Sequence, residues 1–536
     1  MKCSLTVYSS PEIVQFTPPK DCGPIGSWAT ITLNFTSSIN GTQYDRLGIF
    51  TFQNVEIWRM TTSQPLRGDG VVWSYVKDVS RYTPLFAKPG KFILQLDNVI
   101  QTGLDGIFST TVDATFYASS PLYPPAKQAD LIIPLSTLKE NEGNHASVPP
   151  GFSINVTLPR NSVQVYAELH ASGNAAEEFW YINAANEYIG KLPSGIVDGQ
   201  GPFREIRLLV DGRVAGVAFP YATIFTGGFV PAAWKPIPAY PAHDLPTYFI
   251  DLTPFLPVLV DGKAHSFTIE VISGEEDRRI LENWYVSGIL QVFTHSSERP
   301  TRGRIIDYMV DQYPTTSTTG SVDAGGHVDI RVSATRNLLI SSEVIDGSGR
   351  TNRVSWSQKL NFKNEQRFEI VSDTETVIVV KQSATGLTSS LHNGRSVLLD
   401  TFDYPLELNF TISGPGAIYR KLEVDHAYKR DLLPLPIVTR TMIINHQLAN
   451  GLYTISPTGN FGNGSNSNVL SFLDDEGNTY RRRVNSVFNN ITLDEITGNL
   501  AGNHDFNTPF TAGQEVPHQE EHLTDASRLP GRRTKV

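Results

Sequence analysis

The sequence predicts a mostly β protein: two tandem, jelly-roll-like antiparallel β-sandwiches followed by a C-terminal β-rich domain. Three observations lead there. Glycine (42) and proline (34) are frequent while methionine (4) is scarce, which suits short strands and many turns better than helical bundles. Apolar runs are punctuated by turn residues at the roughly 8–12-residue spacing of sandwiches and barrels. Two pairs of segments also repeat the same landmarks in the same order, the signature of an internal duplication.

The first pair is "DRLGIFTFQNVEIW" from Asp45 and "FREIRLLVDGRVAGV" from Phe203. In each, an arginine (Arg46, Arg204) opens an apolar strand, a turn follows (Gln53-Asn54, Asp211-Gly212), and a second strand returns. The second pair is "KDVSRYTPLFAKPGKFILQLDNVI" and "IDLTPFLPVLVDGKAHSFTIEVI", each an Asp-apolar-Ser/Thr turn, a Pro-Leu segment, a Gly-Lys turn and a final strand. The offsets are 158 and 173 residues, so the second copy carries 15 more, which "FPYATIFTGGFVPAAWKPIPAY" supplies as a loop rich in proline with Gly227-Gly228 inside it.

At 536 residues the chain is too long for one core, and its divisions follow from the pattern. Residues 1–24 form an N-terminal segment in which Cys3 and Cys22, the only two cysteines, are expected to pair. The first sandwich is placed at 25–120, a Pro/Ser-rich linker at 121–159, the second sandwich at 160–297, and the C-terminal β-rich domain at 298–500. The polar tail at 501–536 is read as disordered.

Composition excludes several functions. A net charge of −10 with no block of Lys/Arg argues against nucleic acid. No apolar run reaches the ~20 residues of a membrane helix. The twelve histidines form no HExxH-like set, with His170, His243 and His265 read as strand or loop residues, so no metal and no cofactor are expected. No phosphate-binding glycine loop and no Gly-x-Ser-x-Gly elbow appears. Six sequons, at Asn34, Asn40, Asn155, Asn409, Asn463 and Asn490, point to secretion, although "MKCSLTVYSSPE" shows no signal peptide and the start is read as incomplete.

The acids inside apolar strands are the candidates for chemistry. Asp45 sits at the "QYDR" strand start beside Arg46, and Asp97 lies in "FILQLDNVI" on the face opposite Phe92, Leu94 and Leu96. Glu177 and Glu178 precede a Phe-Trp-Tyr run in "GNAAEEFWYIN". Read as an extended strand, this segment points the two glutamates to opposite faces. Either both are solvated at a strand end, or one faces a cleft and the other solvent. Asp78 and Asp251 read as turn residues, given the Ser/Thr two positions on.

"EEFWYIN", "GPFREIRLLVDGRVAG", "TGGFVPAAWKPI", "DLPTYFIDLTPFLPVL" and "QYDR…KDVSRY" together resemble the acid-type peptide-N4-(N-acetyl-β-glucosaminyl)asparagine amidases, the peptide:N-glycanase A group. The likeness runs from about residue 1 to about 495 and is densest at 40–120 and 165–297. It implies hydrolysis of the amide between the first N-acetylglucosamine and asparagine, at a site between two jelly rolls. It also implies that Asp45, followed by Arg46, is the key acid, that Asp97 stands where a Glu is usual, and that Glu178 rather than Glu177 is the third acid. The relatives' cleft arginine has no counterpart in "GFVPAAWKP", and Lys235 or Arg204 is its candidate replacement.

With no usable cysteine or metal set, water attack assisted by a carboxylate base, Asp45, is the expected route. Arg46 is expected to favour the ionised base. Arg46, Glu177, Trp180, Arg204, Trp234 and Lys235 complete the expected substrate-binding set, either tryptophan stacking on a sugar face. The expected partner is an N-linked glycopeptide or denatured glycoprotein, met by a secreted monomer. A non-catalytic glycan-binding jelly roll and a glycoside hydrolase with paired carboxylates are the competing readings.

Overall fold

A computed structural model describes residues 5–6, 10–65, 70–414, 418–434, 436–437, 439–456 and 459–501, so the expected tail lies almost wholly outside the described residues. The protein is built almost entirely from antiparallel strands. The first sandwich holds β1 (Leu5–Thr6), β2 (Glu12–Phe16), β3 (Trp28–Ile39), β4 (Leu47–Phe52), β5 (Val55–Thr61), β6 (Val71–Asp78), β7 (Gly90–Leu96) and β8 (Ser109–Ala118). One sheet runs β1-β8-β3-β6 and the other β2-β7-β4-β5. The described part of residues 1–24 therefore does not stand apart: β1 and β2 pair into the two sheets.

The second sandwich holds β9 (Leu131–Leu135), β10 (Ala146–Val148), β11 (Phe152–Val156), β12 (Ser162–Asn174), β13 (Arg204–Val210), β14 (Arg213–Ala218), β15 (Thr247–Asp251), β16 (His265–Ser273) and β17 (Asn283–Thr294). Its sheets run β10-β17-β12-β15, with β9 added on β17, and β11-β16-β13-β14. Counted from β10, this is the strand order of the first sandwich. Residues 121–159 supply three of these strands and are not merely a linker.

The repeated landmarks occupy equivalent places. Hairpins β4–β5 and β13–β14 both turn through two left-handed residues, Gln53 and Asn54 (φ 50° and 64°) and Asp211 and Gly212 (φ 47° and 76°), the geometry that matches strand twist. Asp78 accepts the Ser80 amide at 2.7 Å and Asp251 the Thr253 amide at 2.8 Å, each opening a short helical turn. The inserted residues fall in the loop 219–246 between β14 and β15, where the first sandwich has only 62–70.

From Arg302 to Thr497 the chain forms one eleven-stranded sheet, mostly a simple meander. Its longest strand, Thr351–Ser372, alternates buried and exposed along most of its 22 residues, because one face packs and the other meets water. The buried face covers the β11-β16-β13-β14 sheet. There Phe203 meets Phe362 at 5.1 Å, and the Gln358 side-chain amide both accepts from Val217 N and donates to Val217 O, each at 2.9 Å. One apolar core thus spans the second sandwich and the long sheet, and a second fills the first sandwich.

Five of the six sequon asparagines, Asn40, Asn155, Asn409, Asn463 and Asn490, are exposed, and Asn34 is half-buried in β3. Cys22 is a free thiol with Sγ 3.7 Å from Asp21 Oδ1, while Cys3, its expected partner, lies outside the described residues.

Where the long sheet meets β13, Glu205 is fully buried with Arg336 Nε 3.5 Å from its Oε2, and neither carboxylate oxygen has a hydrogen bond among the described residues. Burial raises its pKa to about 7, against the pull of Arg336, Arg207 and Arg278. A carboxyl raised in the fold contributes stability fully present below its ordinary pKa of 4.5 and lost as pH rises through about 7. Denaturant midpoints at acid and neutral pH should show the native protein losing on the order of 3 kcal/mol relative to Glu205→Gln across this window. A pH-independent difference between the two would contradict this assignment.

Candidate active site

The "GNAAEEFWYIN" segment is not a strand. After β12 ends at Asn174 the chain makes two 3-10 turns, Ala175–Glu177 and Trp180–Ile182. It doubles back across Gly173, where any Cβ would overlap the Glu177 carbonyl, and Ala175 adopts φ 53° to make the bend. Glu177 and Glu178 are therefore a helical step apart rather than on opposite faces of a strand.

Glu177 is not solvated. It is fully buried, and its carboxylate receives Arg204 Nε at 2.6 Å, Arg204 Nη2 at 2.8 Å, Leu281 N at 2.7 Å and Trp284 Nε1 at 2.7 Å. Burial alone would raise its pKa, but the Arg204 charge and these bonds more than reverse that, keeping it ionised. Arg204 spends its remaining nitrogen on the carbonyls of Gln200, Gly201 and Phe203. Both residues, expected among the substrate-binding set, are committed to the fold. Glu178 points elsewhere: it is 8% exposed, and its charge acts on the buried Tyr181 hydroxyl, whose pKa burial already raises.

Asp45 lies just before β4 and is 6% exposed. Its amide donates to Gln64 Oε1 at 3.1 Å, and Gln64 Nε2 donates to Gln43 O at 3.3 Å. Arg46 turns away along the extended chain. Its Nε and Nη2 lie 3.2 and 2.5 Å from Gln43 Oε1, and its guanidinium stands 5.5 Å from the Tyr44 ring centre.

The second sandwich reaches Asp45 through loop 219–246. A methyl group on Gly227 would overlap Asp45 Oδ1 and Gln64 Oε1, so a side chain here would displace both polar groups. Thr226 Oγ1 donates to Thr62 O at 2.7 Å, fastening the loop beside Asp45. On the other side, a methyl on Gly228 would lie 3.6 Å from Phe179 Cε1, the residue after Glu178. The Phe179 ring in turn meets Phe229 at 4.8 Å. The Gly227–Phe229 tripeptide thus stands between Asp45 of one sandwich and the Glu178–Phe179 turn of the other.

Asp97 is exposed at the end of β7, where the last ladder pair is Gly48↔Leu96, so it leaves the sheet beside the strand that Asp45 opens. Its carboxylate accepts the Gln95 amide. Near it stands His145, whose ring meets Tyr285 edge-on at 4.5 Å. Burial chiefly, with Arg59 nearby, lowers the His145 pKa to about 4, although Glu56 and Asp97 pull the other way.

The tryptophans are not free to stack on sugars. Trp180 is buried against Trp284, and Trp234 is buried with Nε1 donating to Gly228 O at 2.8 Å. Lys235 is half-buried, and its carbonyl accepts from Ser486 Oγ at 3.4 Å. Sequence reading missed Gln64, Gly227 and His145. The Gly-Gly pair was its available signal, taken only as a loop marker.

Comparison with known proteins covers both sandwiches and part of the long sheet. A family model described as peptide N-acetyl-β-D-glucosaminyl asparaginase amidase A matches residues 5–311. The chain belongs to this family. Both sandwiches lie in that span, and the model of the PNGase_A C-terminal domain matches residues 329–406 of the long sheet. A family relative, peptide-N4-(N-acetyl-β-glucosaminyl)asparagine amidase A of Prunus dulcis, is 33% identical over 316 residues, 56% of this chain and 54% of the relative. The chain therefore spans about half the length of the curated relative it matches.

The contrast between the two glutamates has a measurable consequence. Glu177→Gln leaves the Arg204 guanidinium buried without its counter-charge, so unfolding in denaturant should show a loss of roughly 3–5 kcal/mol. A variant as stable as the native protein would mean the pair does not hold this segment.

Proposed function

We propose that the chain hydrolyses the amide between the asparagine side chain and the first N-acetylglucosamine of N-linked glycans, using Asp45 as general base. The observation that carries this reading is the approach of Asp45 and the Glu178 turn, from different sandwiches, to the same Gly227–Phe229 tripeptide. Family membership and the activity printed for the Prunus dulcis relative support it.

In this reading water attacks the asparagine side-chain carbonyl carbon as Asp45 takes its proton. The tetrahedral centre collapses, the C–N bond breaks, and the nitrogen leaves protonated as the glycosylamine, with aspartate left on the peptide. Glu178 hydrogen-bonds the sugar or orients the water, and Asp97, at the same strand ends as Asp45, is the third acid. Arg46 supports the base indirectly, by fixing Gln43, whose carbonyl holds Gln64 beneath Asp45. Glycopeptides or unfolded glycoproteins are the proposed partners of a secreted enzyme, which the exposed sequons support.

A defined N-glycopeptide treated in heavy-oxygen water decides among the readings. Asparagine converted to heavy-oxygen aspartate supports the amidase. Asparagine retaining one N-acetylglucosamine indicates a glycosidase, and unchanged but bound peptide indicates a lectin.

Asp45→Asn should lower kcat by about 10²–10⁴ with binding much less affected, because the isostere keeps the shape and removes the base. Glu178→Gln should weaken both binding and turnover. An Asp45→Asn enzyme keeping more than about a tenth of native kcat would exclude Asp45 as base.

A further inference from the structure

We infer that the C-terminal sheet is a positioning element for Asp45, acting through the segment Val230–Tyr240 and the Trp234 indole. The inference rests on the reading of Asp45 as the base.

Two neighbouring strands of the long sheet, Thr441–Ser456 and Gly459–Asp474, carry three glycines at one spot. A Cβ on Gly464 would lie 2.5 Å from Ala232 O, one on Gly451 2.8 Å from Val230 Cγ1, and one on Gly462 3.3 Å from Ala232 Cβ. The missing side chains make a seat on which the turn Pro231–Trp234 lies directly against the sheet. Side-chain amides of the same strands hold it there. Asn466 Nδ2 donates to Ala233 O at 2.9 Å and Ile237 O at 3.1 Å, and Gln447 donates to Pro238 O at 3.0 Å while accepting from Tyr240 N at 3.2 Å. Asn466 and Gln447 are nearly fully buried and bonded to each other at 3.1 Å, so each amide fixes the orientation of the other.

From this seat the indole Nε1 of Trp234 reaches back six residues to Gly228 O at 2.8 Å. Phe229 holds the adjoining turn in a left-handed conformation, φ 58°, which is strained for a residue with a side chain. Its ring is trapped among Phe179 at 4.8 Å, Tyr181 at 6.3 Å and Phe410 of the long sheet at 5.0 Å. Before the glycine pair, Tyr221 stacks on His426 of the same sheet at 4.6 Å, so the sheet grips the loop on both sides of Gly227-Gly228, and Gly227 lies against the Asp45 carboxylate. A shift of Gly227 by a fraction of an ångström would alter how tightly Asp45 is confined and how water reaches it, which is where rate rather than affinity is set.

The test compares Trp234→Phe, Asn466→Ala and Gly464→Ala with the native enzyme on a defined N-glycopeptide. Trp234→Phe removes the donor while keeping most of the ring volume, and it decides the matter should the Gly464 variant fail to fold. The expected result for Trp234→Phe and Asn466→Ala is a fall in kcat of about tenfold or more, with KM changed less than about twofold and the acid limb of the kcat/KM profile displaced. A merely stabilising contact would lower the melting temperature and leave that limb in place. Glu423→Gln, on the exposed face of the same sheet, should change none of these.

Native kcat and pH profile in Trp234→Phe and Asn466→Ala, with Asp45→Asn inactive, would overturn the positioning role and leave the base intact. An active Asp45→Asn would remove the base and this inference with it.

Discussion

A buried charge pair in the first sandwich helps fix the relative placement of the two sandwiches, beside the Arg81–Glu168 pair that crosses between them at 2.7 Å. Arg59 and Glu56 of β5 are each 1% exposed and joined twice, Nε to Oε1 at 2.7 Å and Nη2 to Oε2 at 2.8 Å. The pair does not end within its own sandwich. Arg59 Nη1 continues to Ser172 Oγ at 3.0 Å and Tyr285 O at 2.5 Å, and Ser287 Oγ donates to Glu56 Oε2 at 2.5 Å. Burial pushes the Glu56 carboxyl up, yet Arg59, His170 and Ser287 together bring it down to about 2, so the pair stays charged in mildly acidic conditions. A desolvated pair of this kind adds little stability over an apolar contact, but it penalises any other docking of the sheets, which would leave a charge unpaired. The site proposed between Asp45 of one sandwich and Glu178 of the other needs that fixed geometry.

Loop 219–246 carries the same constraint outward. It runs along β5, with Thr61 N on Ala242 O at 2.8 Å and Leu245 N on Arg59 O at 2.9 Å, while Trp58 Nε1 reaches His243 O at 2.9 Å. Its other flank rests on the long sheet through Asn466 and Gln447. An insertion that would normally be mobile is thus held from two sides. Just ahead of these moorings, beside Thr226 on Thr62 O at 2.7 Å, lies the glycine pair against Asp45. The long sheet is fastened independently to the second sandwich, since Asp251 accepts both Ser390 Oγ and, at 2.8 Å, His392 Nε2.

Adjacent acids in one turn have opposite fates for a simple reason. Glu177 meets a guanidinium, an indole N–H and a backbone amide, which together replace the water it loses. Glu178 follows one helical step later and turns toward Tyr181 and the Phe179 side of the seam. One carboxylate holds the turn, and the other is the one that the proposed function assigns to chemistry.

Much of this was legible in the residues alone. Turn chemistry and alternation are local, so the β class, the paired hairpins at Gln53-Asn54 and Asp211-Gly212, the Asx turns of Asp78 and Asp251, and the inserted loop all follow from sequence. The candidate acids Asp45 and Glu178 were also visible as residues. Tertiary structure decided the rest. Whether Glu177 faces water or Arg204 depends on a strand 27 residues away, and whether Trp234 meets sugar or Gly228 depends on a sheet more than 200 residues later. The bend after Gly173 replaced an expected strand, and the Glu177 carbonyl, four residues on, fills the space that a side chain on Gly173 would need. Period and propensity report which face of an element is apolar; they carry no information about what long-range partner arrives at that face, and at this seam the partner determines the role.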